Sequence, residues 1–211
     1  MTQQHDHQDD HAGHDHAGHG HAGHAGHDHE TAPPPALAEA IAGLEAQVAE
    51  LTREIEANPG DAGAYNRRGV LHGQLVRPEQ AIADFDTAIR LAPKSAEAYY
   101  NRAIAYLHVR DHRSAIIDFT EALRINPKHV DALNNRAGAY FEAGEAQKAL
   151  ADAEATLALD GGKASALAVR ALALTQMGRG GEAAGDIAMA KRLGFDAHQL
   201  DLLIAMARRR Q

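Results

Sequence analysis

The chain repeats itself with a period of about 34 residues, and this period constrains the fold more than any other feature of the sequence. Pro59, Pro93 and Pro127 stand at this interval. A series of small residues keeps the same interval: Ala81, Ala115, Ala149 and Ala183. A fixed period of this length predicts stacked supersecondary units that share one continuous core.

Each unit is predicted to contain two helices joined by a short turn. In the second unit, Ser95 is a suitable N-cap for a helix that runs to about Leu107, and Asp111 for one that runs to about Ile125. Pro78 stands in the first turn of another helix, where a missing N–H is tolerated. The periodic alanines lie early in each second helix, where a small side chain lets the two helices approach closely.

The units resemble the tetratricopeptide repeat family. The resemblance is carried by AYNRRGVLH…EQAIADFDTAIRLAP and AYYNRAIAYLH…RSAIIDFTEALRINP, which follow the family's pattern of aromatic, small and proline positions. Two later segments are similar but lose aromatic residues and the closing proline. The resemblance implies an all-α fold, a right-handed superhelical solenoid of stacked helix-turn-helix repeats with terminal capping helices.

We predict a low-complexity tail followed by a helical array. The tail and a proline hinge occupy residues 1–35, where the scarcity of large apolar residues predicts disorder. The segments that follow are an amphipathic half-repeat or capping helix at 36–58, tetratricopeptide repeats over 62–197 (62–95, 96–129, 130–163 and 164–197), and a C-terminal capping helix at 198–211.

The first predicted helix carries one apolar stripe. Its members alternate at spacings of four and three positions: Leu37, Ile41, Leu44, Val48, Leu51 and Ile55. Packing of this stripe onto the next element is the expectation, since a coiled-coil seam needs three to four sustained heptads. A dimer formed through the helix at 37–57 is the alternative.

Composition and motifs exclude several function classes. The first 30 residues hold acids and no bases, and the remainder is nearly neutral, so nucleic acid is not a predicted partner. The absence of cysteine excludes thiolate sites.

No phosphate loop, G-x-S-x-G elbow or H-E-x-x-H motif is present, so we predict no enzyme activity. Neither a membrane-spanning run nor a secretory signal is seen, which predicts a cytoplasmic location, or a periplasmic one if the chain is processed.

One arginine–aspartate pairing recurs four times with the same spacing of 16 positions. The predicted structural ion pairs are Arg68 with Asp84, Arg102 with Asp118, Arg136 with Asp152, and Arg170 with Asp186. Each would join the two helices of one unit. A catalytic role is poor chemistry, because the arginine stays protonated and keeps its aspartate ionised near pH 7.

The family resemblance implies a concave groove, lined by the first helix of each unit, that receives an extended peptide or a partner helix. The predicted peptide-binding residues are Asn66, Arg67, Val70, Gln74, Tyr100, Asn101, Ile104, His108, Asn134, Asn135 and Glu142. Asn101 and Asn135 are candidate readers of a peptide main chain, because an amide both donates and accepts.

Some family members clamp a terminal carboxylate with basic residues on these helices. Asn101 matches one element of that clamp. The other clamp positions hold Asn66, Val70, Asp131 and Asn135 instead of the expected bases. Binding of chaperone C-terminal tails is therefore not predicted. His72 replaces a packing aromatic and is expected to be a satisfied, half-buried histidine.

The tail has the chemistry of a metal ligand. Its histidines recur at spacings of two to four positions: His5, His7, His11, His14, His16, His19, His21, His24, His27 and His29. Imidazole with a pKa near ~6.5 is mostly neutral at pH 7 and suits Zn, Ni and Cu. No cofactor is required for the fold. A cloning tag, neutral low-complexity drift and a pH-dependent polyelectrolyte are the competing interpretations of the tail.

The sequence thus favours a non-enzymatic adaptor that docks a protein or peptide partner in its groove and binds a divalent transition metal with its tail. A plain assembly scaffold or co-chaperone-like protein with an incidental tail is one alternative. A homo-oligomer formed through the helix at 37–57 is another.

Overall fold

The computed structural model describes residues 34–210, and the predictions for residues 1–33, including all ten tail histidines, lie outside the described residues. Ten helices and no strand occupy the described part. They are α1 (Pro35–Ala57), α2 (Ala62–Gln74), α3 (Pro78–Leu91), α4 (Ala96–His108), α5 (His112–Ile125), α6 (Val130–Glu142), α7 (Ala146–Leu159), α8 (Ala164–Gln176), α9 (Gly180–Arg192) and α10 (Ala197–Arg209).

The helices form four hairpins that stack into an all-α solenoid, as predicted. We call α2, α4, α6 and α8 the A helices and α3, α5, α7 and α9 the B helices. Each A helix packs against the B helix of its own repeat, and α4, α6 and α8 each pack on the B helix before them. The buried core therefore runs along the array as a series of hydrophobic clusters.

Local sequence signals begin and end these helices. The Asp61 carboxylate accepts hydrogen bonds from the N–H groups of Gly63 and Ala64 at the start of α2. Ser95 caps α4 through the N–H of Ala98, and Asp111 caps α5. These caps satisfy N–H groups that have no partner within their helix.

Close approach of the A and B helices depends on the periodic alanines. Ala81, Ala115, Ala149 and Ala183 are all fully buried. In the first repeat Phe85 packs so closely on Gly69 that an added Cβ would lie 2.7 Å from its ring. The interface therefore has no room for larger side chains at these positions.

A buried ion pair joins the two helices of every repeat. In the first, Arg68 donates from Nε and Nη2 to both carboxylate oxygens of Asp84, at 2.8 and 2.7 Å. The same two-pronged contact recurs in the other three repeats, between Arg102 and Asp118, Arg136 and Asp152, and Arg170 and Asp186. The four aspartates are buried, and each arginine has its pKa raised, with the aspartate hydrogen bond the largest cause for Arg68, Arg102 and Arg170.

Three of the four arginines also hydrogen-bond to the helix that precedes their repeat. The residues 16 positions before the arginines recur at the period of the array: Thr52, Asp86, Thr120 and Glu154. Arg68 donates to Thr52, Arg102 to Asp86 and Arg136 to Thr120, at 2.6 to 3.1 Å. Glu154 contributes to the raised pKa of Arg170. We call the three-helix contact of the first three arginines the arginine node. It ties each of these repeats to the helix before it.

The N-terminal helix α1 acts as a B helix that has no A partner among residues 34–210. One repeat period before Ala81, Asp84 and Ala88, α1 carries Gln47, Glu50 and Glu54. Polar side chains on this outer face make it compatible with water.

The apolar stripe of α1 is buried only in part, which corrects the expectation of a continuous packed stripe. Leu51 and Ile55 are buried against α2, and Leu44 and Val48 pack beside them. Leu37 and Ile41 are 52% and 37% exposed. They lie beyond the α1 segment that matches α3 in the repeat register, and no described element covers them.

The C-terminal helix leaves the path of the array. Unlike the A helices, α10 packs mainly on α8 rather than on the B helix before it. Gly194 has φ +93° in the turn between α9 and α10 and permits this change of direction. Leu200 and Ile204 are buried as predicted, whereas Leu203 is half-buried.

We predict that Asp118→Ala lowers the free energy of unfolding by ~3–5 kcal/mol, because it removes the main partner of a partly buried guanidinium. Asp86 still pairs with Arg102 in this variant, so we expect the loss of stability to fall at the lower end of that range. Urea titration followed by circular dichroism measures it.

Glu121→Ala is the matched control on the same helix. Glu121 pairs with Arg124 in a more exposed contact, and such pairs contribute ~0–1 kcal/mol. Equal urea midpoints for the two variants would show that the buried pair adds no stability.

Candidate binding groove

The predicted groove residues occupy the same four positions on the A helices. Most are half-buried, as expected for a lining; the exposed ones are Arg67, Gln74, His108 and Glu142. The structure does not form one even surface from them. It divides the face into three hollows. One, of about 360 Å³, is lined by Asn66, Arg67 and Val70 together with Gln47, Leu51, Leu71 and Glu97. We call the other two the notches.

The first notch lies between α2 and α4 and encloses about 330 Å³. Five predicted residues line it: Val70, Gln74, Asn101, Ile104 and His108. Phe85, Ala81 and Ala105 also line it and are buried. Gly73 opens the notch, since the equivalent positions of α4 and α6 carry Leu107 and Phe141.

The second notch lies between α6 and α8 and encloses about 360 Å³. Asn134, Asn135 and Glu142 line one side, together with Gly138. The other side is apolar and was not among the predicted site residues: Ala168, Val169, Leu172, Phe195 and Leu203. Gly138 opens this notch, because Val70, Ile104 and Leu172 occupy its position in the other A helices.

The sequence did contain a signal for the apolar residues of the second notch that were not predicted. One period after Asn134, Asn135 and Gly138 stand Ala168, Val169 and Leu172. Their apolar character indicates a change from a polar to an apolar lining along the array. Ala168 and Leu172 are buried, because α10 packs over this part of α8.

The asparagines of the groove hydrogen-bond to one another and to neighbouring repeats. Asn101 Nδ2 donates to Asn66 Oδ1 at 3.1 Å, and Asn66 donates to Glu97. Asn135 Nδ2 donates to the Tyr100 hydroxyl at 3.2 Å. Each side chain uses only part of its hydrogen-bonding capacity in these bonds. The amides therefore join neighbouring A helices by hydrogen bonds and keep part of their donor and acceptor capacity for a ligand.

Charged groups around the groove are paired within the chain. Arg67 contacts Glu54 at 2.9 Å, and Lys163 contacts Asp131 at 2.8 Å. Arg210 at the end of α10 lies 3.7 Å from Glu142 and over the Phe141 ring. The groove thus presents amides and apolar surface rather than unpaired charge, and α10 bounds its C-terminal end.

The burial and hydrogen bonding of His72 differ from the satisfied, half-buried side chain that the sequence predicts. The side chain is buried, Nε2 lies 3.8 Å from Asp84, and Nδ1 has no hydrogen-bond partner among the described residues. It is therefore not satisfied as expected. Burial lowers the pKa of His72, opposed by Asp84 and Glu45 and reinforced by Arg68 and Arg77. Within residues 34–210 no cluster of three histidine, aspartate or glutamate side chains could hold a metal ion.

Comparison with known proteins identifies the repeats. Models of the tetratricopeptide repeat match residues 96–129 and 119–151, and a model of the TPR repeat matches residues 77–108. Residues 77–151 are tetratricopeptide repeats. A search of curated protein sequences gives no match.

Solved structures share the fold of this tetratricopeptide repeat protein. MamA superposes with a TM-score of 0.69 at 22% identity, over 77% of this chain and 95% of that one. YrrB, described as a TPR protein with an unusual peptide-binding site, gives 0.65 at 22% identity, over 74% and 81%. TTC0263, a thermophilic TPR protein in Thermus thermophilus, gives 0.58 at 22% identity, over 82% and 94%. At these identities the likeness concerns the fold.

The comparisons also indicate the general role of this fold. The tetratricopeptide fold is a scaffold for protein–protein interactions and is typically non-enzymatic. Among residues 34–210, no helix is both long enough and apolar enough to span a bilayer.

We predict that His72→Tyr reduces the loss of stability on acidification. His72 has a lowered pKa in the folded chain, so its contribution is complete above ~pH 6.5, where the unfolded histidine is also neutral. It is lost as the pH falls through that value towards the folded pKa. Tyrosine, which stands at this position in Tyr106 and Tyr140, does not titrate there.

Urea midpoints at pH 7.5 and 5.5 measure the effect. Tail histidines are common to both proteins and cancel in the difference. An equal pH dependence of the two proteins would contradict the prediction.

Proposed function

We propose that the chain is a non-enzymatic adaptor that docks a peptide or protein segment in the groove of its A helices. The observation that carries the proposal is the pair of notches on one face, each lined by apolar side chains next to amides with unused hydrogen-bonding groups. Sites of this kind bury apolar side chains of a ligand and orient it with a few polar contacts.

Two further features support docking over the alternatives. YrrB, a protein of the same fold, is described as having a peptide-binding site. Glu54 of α1 pairs with Arg67 of α2, and Gln47 lines a hollow with Asn66 and Arg67, so this part of α1 is used within the chain rather than free for a dimer interface through residues 37–57.

A matched pair of isoleucine variants tests the groove. Ile104→Asn places an amide in the first notch, whereas Ile117→Asn changes an isoleucine of α5 that is 63% exposed and lines neither notch. We expect Ile104→Asn to weaken binding of the cellular partner at least about tenfold, since buried apolar anchors dominate interface energies. Ile117→Asn should bind like the unchanged chain.

The measurement is affinity capture from the source cell, followed by titration of the captured partner against each variant. Circular dichroism and urea midpoints check that both variants fold. Equal binding by the two variants would contradict docking in the groove.

The proposal extends to the tail, whose ten histidines, with acidic residues and no lysine or arginine, form a cation-binding composition. Tethering such a segment to a docking module raises the local concentration of metal beside the docked partner. Surplus ligands without a fixed shell give several sites of weak to moderate affinity, with copper bound more tightly than nickel or zinc.

Replacement of the ten tail histidines by serine in the full chain should abolish this binding. Isothermal titration with Zn, Ni and Cu at pH 7 measures it, and the heat should fall as the pH drops below ~6, where imidazoles protonate. The remaining histidines of residues 34–210 are unchanged and serve as the internal control. No heat with the unaltered chain would end the metal hypothesis.

A further inference from the structure

We infer that the groove receives an extended segment with an uncharged centre, whose two apolar side chains, roughly six positions apart, enter the notches opened by Gly73 and Gly138. This inference rests on the proposed docking function and specifies its ligand.

Packing does not require glycine at either position. A Cβ added to Gly73 or Gly138 would meet nothing within 4 Å, whereas one added to Gly69 would clash with Phe85. Glycine inside a helix costs about 1 kcal/mol relative to alanine. Gly138 lies inside α6 and carries this cost, whereas Gly73 is the penultimate residue of α2. Both glycines leave open space on the groove face.

The space they leave suits aliphatic or aromatic side chains. Ile104 and Phe85 line the first notch, and Leu172 and Leu203 line the second. Transfer of an apolar side chain from water into such surroundings is favourable by ~1.5–3 kcal/mol. Each notch can therefore hold one anchor of a ligand.

The positions of the notches fix the spacing of the anchors. The first lies between α2 and α4 and the second between α6 and α8, two repeats further along. Packed helices lie ~8–10 Å apart, so two steps span roughly 16–20 Å. An extended chain rises ~3.3 Å per residue and covers this distance in about five to six residues.

The surface between the notches favours an extended ligand over a helical one. Asn101 uses only its Nδ2 in its bond to Asn66, so its Oδ1 can accept from a ligand. Asn135 donates to Tyr100 and accepts from Asn134, and each of these bonds uses only part of the capacity of its atom. An extended main chain offers free N–H and C=O groups to such amides, whereas a helix has already paired its own. Arg67 pairs with Glu54 and Glu142 with Arg210, so these groups attract no charged centre, and the Glu97 carboxylate beside Asn66 disfavours an acidic one.

A spacing series of synthetic peptides tests the ligand. The probes are fluorescein-labelled peptides of serine and asparagine, all of one length, with one phenylalanine, or with two separated by two, four, six or ten positions. Fluorescence anisotropy with the full chain should show tightest binding at a separation of six, at least tenfold tighter than with a single phenylalanine. Affinity that does not depend on the separation, or no binding at six, would overturn the inference.

Filling one notch at a time provides the second test. Gly73→Leu and Gly138→Leu should each reduce the affinity for the best two-phenylalanine peptide to that of the single-phenylalanine peptide. Gly185→Leu is the matched control, because Gly185 is also helical with open space around it but lines neither notch. Gly73→Ala and Gly138→Ala add only a Cβ and serve if a leucine variant does not fold. Unchanged affinity in the filled variants would refute the inference.

The outcomes separate this inference from the proposed function. Capture of the cellular partner that withstands Ile104→Asn contradicts docking in the groove altogether. The other outcome is that Ile104→Asn loses the partner while Gly73→Leu and Gly138→Leu still bind the two-phenylalanine peptide fully. This outcome keeps the groove as the docking surface and refutes the two-notch ligand.

Discussion

The arginine node is the contact on which the rest of the array depends. One guanidinium binds the aspartate of its own repeat and a polar side chain of the repeat before it. Because the aspartates are buried, removal of an arginine would leave a buried charge unpaired, which is far more costly than loss of a surface pair. The node therefore joins the A–B hairpin to the helix before it in the first three repeats, and in the fourth Arg170 joins its own hairpin through Asp186.

The nodes also determine what remains for the groove. They use arginine and aspartate inside the array, between A and B helices, and so place no charge on the opposite face of the A helices. That face keeps amides, glycines and apolar side chains, with its few charged groups paired along the rim. A surface of this composition selects a ligand by apolar fit and main-chain hydrogen bonds rather than by steering of charge.

The ends of the array follow different rules from its middle. At the N-terminus, α1 has polar side chains where later B helices have an alanine interface, so water can replace the missing A helix. At the C-terminus, α10 packs mainly on α8 and covers Ala168 and Leu172, the groove positions of that helix. The groove is consequently open at α2 and α4, where apolar side chains lie beside Gln74 and Asn101, and it is apolar and bounded at α8.

The sequence by itself determined the family, the helical repeats and the partners within each hairpin. The repeat period and the constant spacing between arginine and aspartate refer to short distances along one unit, where helix geometry and a short turn leave little freedom. The third contact of each node, the notches at Gly73 and Gly138, the exposure of Leu37 and Ile41, and the course of α10 were decided only in the tertiary structure. These features depend on contacts between units or at the ends of the array, where a neighbouring helix is displaced or absent and the repeat pattern no longer specifies what a side chain meets.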